Sequence, residues 1–126
     1  MSESVGLISL MLVNNEIGTV QDIKQLASIS HKSEAIFHTD AAQAPVFIDI
    51  DVLSNNVDLL SLSSHKLYEP KGIGALFIKR EIMQFMEPIM HGGGQAGGII
   101  SGTLPTALCV GFGEAIELIS NIDRNV

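Results

Sequence analysis

The 126-residue sequence has the size of one domain, and its 46% apolar and 17% charged residues predict a folded globular protein with a sizeable core. A net charge of −7 without a basic stripe argues against nucleic acid as the main partner. The longest apolar run near the start, residues 5–13, is about half as long as a membrane-spanning helix, so we expect no membrane insertion.

The apolar pattern predicts four strands and three helices, separated by loops rich in glycine, proline and asparagine. In chain order these are a strand at 5–13, a loop at 14–19, a helix at 22–31, strands at 35–38, 57–63 and 74–78, a short helix from about 80 to before 88, and a closing helix from 105 to about 120. The first run is nearly continuous, which is typical of a strand covered on both faces. The second strand leads directly to Asp40.

This order of elements predicts an α/β fold with a mostly parallel sheet flanked by helices. In such sheets ligands bind beyond the carboxyl ends of the strands. Two or three helices are too few to cover both faces of four strands, so we expect one face or edge of the sheet to be exposed. That arrangement is typical of the middle of a larger domain.

Two polar stretches follow predicted strands. Residues 38–43 read HTDAAQ at the end of the second strand, and residues 61–66 read SLSSHK at the end of the third. A lysine at a buried strand end is unfavourable unless it is paired, uncharged or covalently bonded. Lysine and aspartate from neighbouring strands are the minimum set for pyridoxal 5′-phosphate (PLP), which needs an amine for a Schiff base and a carboxylate for its ring nitrogen. Lys66 and Asp40 therefore indicate a PLP site.

Six consecutive motifs resemble the cysteine desulfurases of the NifS/IscS type, in the class V aminotransferase group of PLP enzymes. They are NNEIG at 14–18, HTDAAQ at 38–43, SLSSHK at 61–66, PKGIGAL at 70–76, HGGGQ at 91–95 and SGTLP at 101–105. The resemblance implies a partial large domain of the PLP-dependent aspartate aminotransferase fold (type I). We expect residues 1–126 to be a single partial domain, the PLP-binding core, with the family's N-terminal segment and C-terminal small domain absent from this sequence.

The resemblance also implies roles for individual residues. Lys66 matches the catalytic Schiff-base lysine and general base, and Asp40 matches the partner of the pyridinium nitrogen. The other cofactor-binding residues it implies are Gln43 at the phenolic oxygen, Ser63 and His65 at the phosphate, Asn15 near the ring and substrate, and Thr103 at the phosphate of a neighbouring subunit's cofactor. The implied reaction converts L-cysteine to L-alanine and leaves sulfur on an enzyme persulfide, for iron–sulfur cluster and other sulfur-transfer pathways.

The sequence departs from the family pattern at several places. It contains no counterpart of the loop with the sulfur-accepting cysteine or of the arginine that holds the substrate carboxylate. Its one cysteine, Cys109, lies in the last predicted helix, where we expect a small buried hydrophobic residue. Glu69 stands where the family has a small residue, and residues 96–100 replace charged residues of a loop between subunits.

Four interpretations of function therefore stay open. The chain is a truncated desulfurase segment that is not active alone, an inactive remnant that binds PLP without turnover, an interaction module that pairs with a full-length desulfurase, or another class V PLP lyase or aminotransferase such as a selenocysteine lyase. The implied partners are L-cysteine, a second copy or the missing desulfurase parts, and sulfur-acceptor or iron–sulfur scaffold proteins.

The numbers of cysteines and histidines indicate the cellular location and whether a metal site is expected. A single cysteine excludes an internal disulfide, and the start of the chain lacks the basic and apolar regions of a secretory signal. Together these features predict a reducing, cytoplasmic location. Four histidines without clustered carboxylates or thiolates predict no metal site. Of these histidines, His38 is expected to pack at a strand end with its ring nitrogens hydrogen-bonded.

Overall fold

The computed structural model describes residues 4–122, in which four strands form one sheet and two α-helices pack against it. The elements are β1 (Leu7–Met11), α1 (Ile23–Lys32), β2 (Ile36–Asp40), β3 (Leu59–Ser63), β4 (Gly74–Ile78) and α2 (Thr106–Ser120). The sheet order is β1-β2-β3-β4, with β1, β2 and β3 parallel and β4 antiparallel to β3. The predicted α/β fold with a mostly parallel sheet is confirmed.

The first helix begins at a side-chain cap. Asp22 precedes α1, and its Oδ1 accepts a hydrogen bond of 3.0 Å from the backbone N–H of Gln25, which satisfies one of the free N–H groups of the first turn. Ile23 and Ala27 then face the sheet and are buried. They form one core cluster with residues of the strands and of the following loops, namely Leu12, Phe37, Ala41, Ala44, Val57 and Leu60.

Both helices lie on the same face of the sheet. Leu60, which packs with α1, and Leu62, which packs with the cluster of α2, are two residues apart on β3 and so share a face. The opposite face, which we call the open face, carries no helix of residues 4–122. Its members on the strands include Leu7, Ser9, His38, Asp40, Ser61, Ser63 and Leu76. Leu7 and Leu76 are 53% and 47% exposed there, which confirms the expectation of one exposed face.

The prediction for the first strand was partly wrong. Residues 5–13 were expected to form a strand covered on both faces, but β1 spans only Leu7–Met11 and remains exposed at Leu7 on the open face. Leu10, on the helix-bearing face, is still 40% exposed. The reason is position: β1 lies at the edge of the described sheet, and α1 packs mainly against β2. An apolar run in a sequence does not show whether the partners that cover it are present.

The short helix predicted from about residue 80 is also absent. The segment forms only a single 3₁₀ turn, Met83–Phe85, and Phe85 is 69% exposed. Eight residues are too few for a helix without a surface to pack on, and Pro88 prevents extension of the segment. The closing helix is confirmed as α2, but Cys109 within it is half-buried and not fully buried as expected. None of the helices in residues 4–122 is long and apolar enough to cross a membrane.

Candidate functional site

The carboxyl ends of the three parallel strands meet at one edge of the sheet. Met11 lies opposite Asp40, and Asp40 lies opposite Ser61. Ser63 follows two residues later on the same face and pairs with Gly74 of β4. The register therefore places two of the predicted cofactor-binding residues, Asp40 and Ser63, at this edge of the open face.

The backbone around Asp40 is held by hydrogen bonds to both neighbouring strands. Its carbonyl oxygen accepts a hydrogen bond from Leu12 at 2.8 Å, and the N–H of the next residue, Ala41, donates to the carbonyl of Ser61 at 3.0 Å. The carboxylate oxygen Oδ1 accepts from the N–H of Ala42 at 2.9 Å and so starts the turn after β2. The carboxylate itself is exposed. It is an oriented anion open to a ligand.

The turn after β3 carries the predicted lysine. Ser64, which is fully buried, donates from Oγ to the carbonyl of Pro70 at 3.0 Å and from its N–H to the carbonyl of Ile73 at 3.2 Å. Leu67, 1% exposed, anchors the other end of the turn in the cluster of α2. Because these two side chains point inward, the residues between them are turned outward.

Lys66 is consequently exposed, and the expectation of a buried lysine at a strand end was wrong. Strand β3 ends at Ser63, and the 3₁₀ turn Ser64–Lys66 lifts the ammonium group into solvent. An exposed amine has no desolvation penalty to offset. The need for a covalent partner therefore does not follow from burial. The assignment of Lys66 depends on the family motif and on its place in the turn after β3, the strand that pairs with β2 and Asp40.

His65 is held in place by the preceding strand. Its Nδ1 is 2.9 Å from Oγ of Ser63, and both side chains are accessible at the carboxyl edge. One of the two groups donates this hydrogen bond to the other, and the remaining N–H or O–H group is free to donate to a ligand. That chemistry suits a phosphate group.

Asn15 and Gln43 lie on the walls of one cleft of about 550 Å³, between the β1–α1 loop and the turn after β2. Asn14 shapes the loop, since its Oδ1 accepts from the N–H groups of Glu16 at 2.9 Å and Ile17 at 3.0 Å. Asn15 is exposed beside it and donates from Nδ2 to the carboxylate of Glu16 at 3.0 Å. The structure therefore brings these two predicted residues together, and it shows Asn14 as the organiser of the loop.

Thr103 is not brought to the same edge by any hydrogen bond among residues 4–122. It is exposed in the loop before α2, on a different element from the other candidates. Its predicted contact is with a cofactor in a neighbouring subunit, and that prediction stays untested.

His38 bridges the three parallel strands on the open face. Its Nδ1 is 2.7 Å from Oγ of Ser9 on β1, and its Nε2 is 2.8 Å from Oγ of Ser61 on β3. The expectation that both ring nitrogens are hydrogen-bonded is confirmed. Burial lowers the pKa of His38, and the negative charge of Asp40 opposes this only in part. The partners were not predicted, because they depend on strand register.

A second polar cluster lies at the opposite end of the strands. Asp58 is 4% exposed and accepts hydrogen bonds from the N–H of Phe37 at 2.9 Å, from Nζ of Lys79 at 3.4 Å, and pairs with Nε2 of His31 at 2.6 Å. Burial alone raises the pKa of Asp58, but the hydrogen bonds from Phe37 and His31 outweigh it and leave the pKa below its ordinary value. This cluster is far along the strands from Asp40, and it ties α1 to β2, β3 and β4.

Glu69, the departure from the family pattern, packs against the last helix. Its Oε2 is buried and has no hydrogen-bond partner among residues 4–122. A Cβ added to Gly111 of α2 would lie 2.8 Å from its Oε1. The carboxylate is therefore directed at α2, which accepts it only because residue 111 has no side chain.

The fold and the carboxyl-edge site define an α/β domain of the kind that binds a cofactor at its strand ends. The family model for aminotransferase class-V matches residues 1–126, and the chain belongs to that family, whose members depend on PLP. Within the family, the chain is 54% identical over 113 residues to the mitochondrial cysteine desulfurase of Saccharomyces cerevisiae, covering 90% of this chain and 23% of that protein. It is 51% identical over 117 residues to cysteine desulfurase IscS of Ehrlichia chaffeensis, covering 92% and 28%.

Solved structures show the same fold. A structure described as SspA in complex with cysteine is 49% identical with a TM-score of 0.84, covering 89% of this chain and 32% of that one. The cysteine desulfurase CsdA of Escherichia coli is 27% identical with a TM-score of 0.87, covering 95% and 34%. The chain therefore spans about a quarter of the length of these curated relatives and about a third of the solved chains.

Proposed function

We propose that this chain is the cofactor-binding segment of a cysteine desulfurase, with PLP held between Asp40 and Lys66. The observation that supports this most is the register that places Asp40 opposite Ser61 at the carboxyl end of β3, the strand that leads into the turn with the exposed Lys66. The relatives named cysteine desulfurase, at about half identity over nearly all of the chain, support the same proposal.

The residues at the carboxyl edge fit PLP in charge and in access. Asp40 uses Oδ1 for its own turn, and no residue of 4–122 bonds its Oδ2. The amine of Lys66 is exposed, and no helix of the described chain covers the open face above Asp40. A planar ring and a phosphate can therefore enter without displacing a packed element.

Each residue of the site has a distinct task. When bound, PLP supplies an electron sink for the α-carbon of an amino acid. Asp40 would hold the proton of the ring nitrogen. Nζ of Lys66 would bond the cofactor before the amino acid arrives and, once displaced by it, would move the α-proton as a general base. Ser63 and His65 bind the phosphate, Gln43 bonds the phenolic oxygen and Asn15 orients the ring. Thr103 serves the phosphate site of a neighbouring subunit.

The proposed substrate is L-cysteine, which is converted to L-alanine while its sulfur passes to a cysteine of the enzyme. One solved relative is described in complex with cysteine, which supports this substrate class. In residues 1–126 nothing matches the sulfur-accepting cysteine of the family, and the one cysteine, Cys109, is half-buried in α2. We therefore expect the 126-residue chain to bind PLP but to release no sulfide or alanine by itself.

Titration with PLP tests this proposal. We expect a visible absorbance band from lysine-bound PLP in the wild-type chain and its loss in Lys66→Ala. Lys24→Ala is the matched control, since Lys24 is an exposed lysine of α1 on the covered side of the sheet. A band that persists in Lys66→Ala, or that is lost equally in Lys24→Ala, would contradict the assignment.

A second candidate function rests on the open face. Leu7 and Leu76 expose apolar surface at the two ends of the sheet order, and such a face favours association. We propose that a longer desulfurase chain is the partner that covers it, either as a second subunit or as the source of further desulfurase segments. Co-purification with such a chain is the expected result. A monodisperse monomer that stays single when mixed with it would contradict this candidate.

The compartment and downstream partners remain part of the proposal. We infer a reducing, cytoplasmic location from the single cysteine, and delivery of sulfur to acceptor or iron–sulfur scaffold proteins from the family. The yeast relative is named mitochondrial, so cell fractionation is the measurement that decides between cytoplasm and organelle. A selenocysteine lyase differs in substrate and is distinguished by assaying the reconstituted assembly with selenocysteine and cysteine in parallel.

A further inference from the structure

The open face carries one hydrogen-bonded chain that crosses the three parallel strands. We name Ser9, His38 and Ser61 the Ser–His–Ser bridge. The imidazole is half-buried, and its two nitrogens lie 2.7 and 2.8 Å from the two hydroxyl oxygens. None of these contacts is needed for the backbone pairing of the strands, which is made by N–H and C=O groups.

The bridge is complete with a neutral imidazole. A neutral ring has one N–H donor and one bare nitrogen acceptor, and a serine hydroxyl can fill either role by rotating. Burial favours the uncharged ring, which is consistent with the lowered pKa of His38. At pH 7 His38 therefore ties β1, β2 and β3 together without adding a positive charge.

The bridge lies directly next to the proposed ring-nitrogen partner. His38 and Asp40 are two residues apart on the same face of β2, about 7 Å between Cα atoms. Ser61 of the bridge is also the register partner of Asp40 on β3. Asp40 is the titratable side chain that faces His38, because the open-face residues of β1 and β3 are Leu7, Ser9, Met11, Leu59, Ser61 and Ser63.

We propose that His38 is a positioning residue of the cofactor site, which holds the strand ends under Asp40 and, by staying neutral, leaves the Asp40 charge free to pair with a cationic ring nitrogen. Protonated His38 places a second cation beside Asp40 and weakens that pairing. This inference rests on the proposed PLP function.

The test compares variants by their affinity for PLP, read from the absorbance titration. His38→Phe keeps a ring of similar bulk but removes both hydrogen bonds, and we expect about tenfold weaker PLP binding at pH 7.5. His38→Gln keeps one donor and one acceptor and is expected to recover most of the affinity. His91→Asn, which changes an exposed histidine of the glycine-rich loop, is the control and should bind as the wild type does.

The pH profile separates positioning from a merely structural role. As the pH falls through the lowered pKa of His38, the ring becomes protonated, so the affinity of the wild type should fall more steeply than that of His38→Gln. In a parallel NMR titration of the unliganded chain, the pKa of His38 should lie below its ordinary value and should fall further in Asp40→Asn. Urea unfolding of each variant shows whether the fold is retained.

Each outcome decides a different point. Three results would each overturn this role. The first is equal PLP affinity in folded His38→Phe and wild type, and the second is parallel pH profiles of wild type and His38→Gln. The third is a pKa of His38, measured by NMR, that does not change in Asp40→Asn. Should the wild type bind no PLP while the NMR arm behaves as expected, the proposed function fails and the role of His38 in it fails too, although the bridge itself is real.

Discussion

At the scale of single residues, strand β2 contains a buried hydroxyl group that makes no hydrogen bond within residues 4–122. Thr39 lies between His38 and Asp40, but its side chain faces the helix-bearing side of β2. It is fully buried, and its Oγ1 has no hydrogen-bond partner among residues 4–122. A buried hydroxyl without a partner loses its bonds to water and gains none in return.

We therefore expect Thr39→Val to raise the free energy of unfolding by about 1 kcal/mol, because valine keeps the branched shape and removes the hydroxyl. Thr39→Ser is the matched control. It keeps the hydroxyl, removes a methyl group and should lower the free energy of unfolding by about 1 kcal/mol. Urea denaturation measures both, and a destabilised Thr39→Val would show that the hydroxyl has a partner in solution.

Asp58 is the residue on which the opposite end of the sheet depends. Asp58→Asn removes the charge that pairs with His31 and Lys79, and we expect a loss of about 2–3 kcal/mol at pH 7. The folded-state pKa is lowered, so the stabilisation is present above the ordinary value of 3.8 and disappears as the pH falls through the folded-state value.

The pH dependence supplies the check on Asp58. The wild type should lose stability below about pH 4, and the difference between wild type and Asp58→Asn should shrink over the same range. Glu114→Gln is the control, since Glu114 is exposed on α2. A difference that stays constant down to pH 2 would contradict the assigned cause.

At the scale of elements, the contact between Glu69 and α2 predicts non-additive mutations. Alanine at position 111 favours a helix over glycine by about 1 kcal/mol, but its Cβ would meet the carboxylate of Glu69. We expect Gly111→Ala to gain little in the wild type and the full amount in the Glu69→Ala background. Thermal unfolding of the four proteins of this double-mutant cycle measures the coupling, and strictly additive effects would show that Glu69 does not contact α2.

The elements also show what a single sequence reveals and what it does not. The order of strands and helices follows from local apolar periodicity, and Asp22 and Pro105 mark where α1 and α2 begin. Whether a strand or helix is covered depends on distant segments. One exposed face of the sheet was predicted from the number of helices, but the exposure of β1 at Leu7 and the missing helix at 80–87 were not. The local apolar pattern does not identify the segments that would cover Leu7 and residues 80–87.

Some features of the candidate site were likewise predicted from the sequence, and others were not. Asp40 and Lys66 were predicted because polar residues after apolar runs mark strand ends. The partners of His38 were not, since they lie 29 and 23 residues away and meet it only through parallel register. The exposure of Lys66 was not predicted because it depends on the burial of Ser64 and Leu67. The order of polar and apolar residues in so short a turn does not show which of them are buried.

At the scale of the whole molecule, the open face is the feature that favours association with a partner. The chain spans about a quarter of the length of its curated relatives, and its sheet has helices on one face only within residues 4–122. Apolar exposure at Leu7 and Leu76 favours a covering partner. The residues proposed to hold PLP, by contrast, lie on elements of this chain, with Thr103 proposed to serve a neighbouring subunit.

Chemical trapping shows directly whether Lys66 bonds PLP beside Asp40. The chain is incubated with PLP, reduced with borohydride and mapped by peptide mass spectrometry. We predict the pyridoxyl mass on the peptide that contains Lys66, and a marked loss of that label in Asp40→Ala. Label spread evenly over the exposed lysines, or no label on Lys66 at all, would contradict the account.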